Sequence, residues 1–157
     1  MTAKDLYDRD FFEWTQCNAA LLRSGQFDRV DIEHVAEEIE DMGKSQRHEL
    51  RSRLRILIMH LLKWRYRPDR RGSSWIRTIG TQRAEIADLL KDAPSLRNAL
   101  AEHLGGVYEE AARLATQETR AKKDVFPERC PFSEDEILDP EFFPESAGYD
   151  GKSGIPA

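Results

Sequence analysis

Cysteine is nearly absent: Cys17 and Cys130 are the only two in 157 residues, too few for a disulfide scaffold or a zinc ribbon. Valine occurs four times, and no alternating apolar–polar run is long enough for a strand. No uncharged stretch approaches the ~20 residues that a membrane-spanning helix requires, and charged side chains make up 34% of the chain. The opening residues are acidic and polar, so no signal peptide is expected. Nor is there a repeat of roughly 20–50 residues. Leu, Ile, Val and Phe number 35 of 157, or 22%, just above the ~20% below which disordered composition begins. These absences leave a soluble, cytoplasmic chain of about one domain, with a compact core and a charged surface.

What is abundant favours helix. Ala and Leu contribute 15 residues each, Arg 17 and Glu 16, the side chains that lose least freedom in a helix. A first helix is expected over about residues 8–24, with Phe11, Trp14, Asn18 and Leu21 at helical spacing and Gly25 as its stop. Asp31 suits an N-cap, because its carboxylate can accept from first-turn amides. Behind it Ile32, Val35, Ala36, Ile39 and Met42 form one apolar stripe, expected to face a core. Gly43 with Ser45 could end one helix and begin another. Leu50, however, follows Ile39 by eleven residues, three full turns, and Leu54, Leu57, Leu61 and Trp64 keep that phase. A single helix over residues 31–67, ended by Pro68, is therefore expected.

Ser73 or Ser74 should cap the next helix, whose stripe is Trp75, Ile76, Ile79, Gln82, Ile86, Leu89 and Leu90. Pro94 opens another, running through Leu96, Leu100, Leu104, Val107, Ala111 and Leu114 with at most a kink at Gly105–Gly106. Beyond residue 123 the texture changes to a proline-spaced segment carrying Phe126, Phe132, Phe142 and Phe143, with Ser133–Glu136 as a capping box. The expected fold is all-α: a bundle of about four main helices with one long central helix, plus an extended C-terminal strap. Residues 5–144 are expected to form a single domain that includes the strap at 124–144, with its four phenylalanines buried, and residues 145–157 are expected to form a flexible tail.

Several of these segments together resemble a known family. Asp10-Phe11-Phe12-Glu13-Trp14, Glu37-Glu38-Ile39-Glu40-Asp41-Met42-Gly43 and His60-Leu61-Leu62-Lys63-Trp64 are similar to the bacterial domain-of-unknown-function family numbered twenty-nine. Trp75 through Gln82-Arg83, Pro94-Ser95-Leu96, Phe126-Pro127 with Cys130-Pro131, and Ile137-Leu138 extend the likeness over residues 5–144. The resemblance implies a small helical bacterial protein and no particular activity, cofactor or catalytic residue.

Charge is segregated along the chain. Residues 1–43 are net −7, residues 44–83 net +10 and residues 84–157 net −8. A basic segment with Trp64, Tyr66 and Trp75 could bind nucleic acid or another polyanion. In a bundle, though, the acidic neighbours should cancel most of its field. The turn carrying Arg65, Arg67, Arg70 and Arg71 is where positive charge should persist.

Chemistry-bearing motifs are few. Glu33, Glu37 and Glu40 share one flank of a helix, and Glu37 and Glu40 with a histidine could form the metal face of a hydrolase. His-Glu-x-x-His, a phosphate-cradling glycine loop and Gly-x-Ser-x-Gly are all absent. His60 lies in the apolar run Ile56–Leu62, and Gln82 occupies the centre of its own stripe. If their helices pair antiparallel with matched positions totalling about 141, the two meet as a buried polar pair. Arg83, at the edge of the stripe, would take a carboxylate from an acidic helix. The reading that follows is a non-catalytic interaction or regulatory module with an unidentified protein partner, no cofactor and no membrane association. His60, Gln82 and Arg83 and the Arg65–Arg71 turn are its candidate binding residues.

Overall fold

A computed structural model describes residues 1–122 and 124–147. Among them there is no strand, and the all-α expectation holds. Six α-helices follow in order: α1 (Ala3–Leu6), α2 (Phe11–Arg23), α3 (Ile32–Tyr66), α4 (Ser73–Asp92), α5 (Leu96–Thr119) and α6 (Glu134–Leu138), with short 3-10 turns at Phe27–Arg29 and Pro68–Arg70. No described helix is long and apolar enough to cross a membrane.

α3 is a single helix of 35 residues, about 52 Å at 1.5 Å per residue. Gly43 neither caps nor breaks it, and a Cβ placed there would meet nothing within 4 Å beyond its chain neighbours and its own helix backbone. The helix stops where Arg67 leaves the helical conformation (φ −129°, ψ 62°) before Pro68, whose ring disfavours a helical predecessor. Two details differ from expectation. Gly72, without a side-chain cap, precedes α4, and α5 begins at Leu96, after a turn at Pro94–Ser95. The short α1, closed by a Thr2–Asp5 capping box, was not foreseen.

The chain divides into two compact units, Met1–Ser45 and Gln46–Ala157. In the first, Ala3, Trp14 and Leu21 are the buried apolar residues, joined by Asn18 and Asp31. In the second, the core runs from Leu50, Leu54, Leu57, Ile58, Leu61 and Leu62 through Ile79, Ile86, Leu100 and Val107 to Phe126, Phe132 and Ile137.

Ion pairs give the register of this second unit. Arg47–Glu102, Arg55–Glu110 and Lys63–Glu118 each join residues 55 apart, so α3 and α5 run parallel. Arg53 pairs with Glu85, and Lys63 lies over the Trp75 ring; both partnerships total 138, so α3 and α4 run antiparallel. Five of the twelve cations of the basic stretch, Arg47, Arg51, Arg53, Arg55 and Lys63, thus pair with carboxylates of α4 or α5.

The strap is only partly as expected. Phe126 and Phe132 are buried and Phe142 is partly so, but Phe143 lies at the surface against Trp64. Its neighbour Pro144 takes the buried position instead. The capping box of α6 forms as predicted, Ser133 Oγ accepting from the Glu136 amide at 3.1 Å. Ser146 accepts from Arg71 at 3.0 Å, and the Ala147 amide donates to the Arg65 carbonyl at 3.2 Å. Residues 148–157 of the expected tail lie outside the described residues.

Candidate functional site

In the first unit, polar groups fasten α3 to its neighbours. The buried Asp31 carboxylate accepts from Trp14 Nε1 at 3.0 Å and from His34 Nδ1 at 2.6 Å. Its backbone amide donates to Asn18 Oδ1 at 2.9 Å, and Asn18 Nδ2 donates to the Trp14 carbonyl. Asp31 precedes α3 as predicted, but its carboxylate serves these side chains rather than mainly the first-turn amides. Burial alone would raise its pKa; the bonds from His34 and Trp14 outweigh that and hold it below 3.8. Tyr7 stacks on His34 with centroids 3.8 Å apart and donates to Glu38 Oε1 at 2.5 Å. That bond to a carboxylate pushes the phenol up to about 12.

This frame leaves apolar side chains facing outward. Of ten exposed large hydrophobics among the described residues, eight belong to the first unit: Met1, Phe11, Phe12, Leu22, Phe27, Ile32, Ile39 and Met42. The stripe expected to face a core is therefore largely uncovered. Ile32 is 63% exposed, Ile39 58% and Met42 63%, while Val35 is half-buried and residues 41–49 are exposed throughout. Buried Asp31 and half-buried His34 and Glu38 sit on the helix side that packs in the unit. Ile32, Ile39 and Met42 fall within an arc of about 80° beside it. Glu33, Glu37 and Glu40 lie on the far side of the helix, about 120–180° round from the centre of that arc. Lys4 pairs with Glu33 at 3.0 Å, whereas Glu37 and Glu40 have no ion pair among the described residues.

The expected binding residues do not converge. His60 Nδ1 bonds back to the Ile56 carbonyl at 2.9 Å, and its ring meets the Trp75 edge. Gln82 accepts from Arg53 at 3.4 Å. No bond joins His60 to Gln82, because the α3–α4 register totals 138 rather than 141, about one turn away at His60. Burial lowers the pKa of the half-buried His60. Arg83, one step along from Gln82, is the polar residue that points inward. It donates to the Ile137, Phe142 and Glu136 carbonyls at 2.9, 2.8 and 3.1 Å, not to an acidic helix as expected.

Two of the four arginines of the basic turn, Arg67 and Arg71, are held by groups of the protein itself. Arg67 is buried, grips Asp69 through Nε and Nη2, and donates to the Thr119 carbonyl at 3.0 Å. Arg71 donates to the Trp64 carbonyl at 2.7 Å and lies over its indole. Arg65 is half-buried beside Tyr66, and Arg70 is exposed. For the metal face, no group of three or more His, Cys, Asp or Glu side chains that could hold an ion occurs among the described residues. Glu37 and Glu40 are instead exposed on the side of α3 away from the apolar stripe.

Sequence reasoning missed the outward position of Phe11 and Ile39 and the inward position of Arg83. One signal was present for the first: past Met42 the stripe meets Gly43 and Gln46 before Leu50, a break in apolar character. For Arg83, an arginine four residues after Ile79 and three before Ile86 already marks the buried side.

With this geometry in view, the chain belongs to the family described as domain of unknown function DUF29, whose model matches residues 6–143. No curated protein and no solved structure matches it.

Proposed function

We propose that this DUF29 chain is a non-catalytic interaction module, and that the uncovered stripe of α3 seats an amphipathic partner helix with basic flanks. The stripe Ile32–Ile39–Met42 carries the reading. Burying each such side chain is worth about 1.5–3 kcal/mol, and clustered exposed apolar groups on a folded unit mark an interaction surface. Charge selects the partner. Residues 1–43, which carry the stripe, are net −7. A second copy of this acidic unit would bring like charge against like, whereas lysines or arginines on a partner's apolar helix would meet opposite charge. The two cysteines, both free, fit a reducing cytoplasmic setting.

Binding of fluorescently labelled helical peptides tests this. A Leu/Lys amphipathic peptide should bind the intact protein, weaken with salt, and weaken further with Ile39→Ser/Met42→Ser, while a Leu/Glu peptide should not bind. Equal binding by the double variant removes the reading. Concentration-dependent dimers that the double variant abolishes would assign the stripe to a second copy instead.

A further inference from the structure

A concave site in the second unit has a composition that points to a small ligand. Its volume is about 400 Å³, within the ~300–1,000 Å³ typical of ligand pockets. Ile86, Leu90 and Leu138 supply apolar walls, and Arg83, Lys91 and Arg97 supply three positive charges. No carboxylate lines it. Lys91 and Arg97 have no ion pair among the described residues, and both are exposed.

Arg83 is the residue that distinguishes this cavity from an ordinary basic crevice. It is only 4% exposed, yet its described partners are three neutral carbonyls and the Phe143 ring, 5.7 Å away. A guanidinium carries five N–H donors, so two have no protein acceptor among the described residues. Asp139 acts on it electrostatically but forms no ion pair within 4.0 Å. A buried cation held by neutral acceptors is stabilised by an anion that reaches it. The exposed Lys91 and Arg97 would draw that anion in and meet its charge from the solvent side.

We propose that the cavity between α4, the start of α5 and α6 binds a small amphiphilic carboxylate, its apolar body on Ile86, Leu90 and Leu138 and its carboxylate toward Arg83, Lys91 and Arg97. The apolar walls distinguish this ligand from a simple inorganic anion, and the three cations distinguish it from a neutral hydrophobe. The site is independent of the α3 stripe.

Titration of the full chain with decanoate, followed by amide and methyl NMR shifts, tests the assignment. Saturable shifts are expected at Ile86, Leu90, Leu138 and Arg97. Lys91→Ala/Arg97→Ala, two exposed positions whose loss should leave the melting temperature unchanged, should weaken binding roughly tenfold or more. Decanol and inorganic phosphate should each bind far more weakly than decanoate. Absence of saturable shifts at these residues would overturn the proposal. So would equal binding of decanol, equal binding of phosphate, or an unchanged affinity in the double variant.

Discussion

Ile39 and Leu50 lie eleven residues apart on one unbroken helix and share its phase, yet Leu50 is fully buried and Ile39 is 58% exposed. The same stripe of α3 meets packing partners at one position and solvent at the other. Substitution should separate the two. Leu50→Ala should cost about 2–5 kcal/mol through lost burial and a cavity, while Ile39→Ser should stay within about 0.5 kcal/mol. Urea unfolding of both variants measures this; a large loss for Ile39→Ser would mean that the stripe is covered in solution.

Gly43 is interior to α3, with open space around the position of a Cβ. Gly43→Ala should therefore stabilise the protein by about 0.5–1 kcal/mol, since alanine restricts the unfolded chain and favours helix. A fall in melting temperature would contradict a continuous helix.

The strap depends on Arg83 as much as on its own aromatics. Arg83→Met removes the donor from three carbonyls, and each buried acceptor left without a partner costs about 1–3 kcal/mol. Phe132→Ala should cost about 3–5 kcal/mol, and Phe143→Ala, at the surface against Trp64, much less. Equal effects at Phe132 and Phe143 in unfolding experiments would contradict the observed seating.

His60 gives stability a dependence on pH near neutrality. Burial lowers its pKa below the ordinary 6.5, so the unfolded chain binds the proton more readily than the folded one. The contribution is present above pH 6.5 and is lost as pH falls through the folded value. Melting temperature should decline over that interval, and His60→Gln should flatten the decline. An identical pH profile in the variant would show that other groups are responsible.

Helix type, the long α3 and the α6 capping box were legible in the sequence because each is a local property. Periodicity, proline placement and a Ser-x-x-Glu spacing act within a few turns of chain. Periodicity also marked the stripe from Ile32 to Met42 as apolar. What covers a stripe is not local: the same side chains are core beneath another helix and surface without one. The fate of Gln82 and Arg83 was decided in the same way. Their helix could have rotated by one residue or slid by one turn at little local cost. The pairing of Arg53 with Glu85 and of Lys63 with Glu118 and Trp75, together with the demand of three strap carbonyls for a donor, turned Arg83 inward and set His60 against Trp75. The sequence by itself determined which segments are helical and which faces are apolar. Only the tertiary structure decided which of those faces are buried, because burial depends on partners distant in the chain.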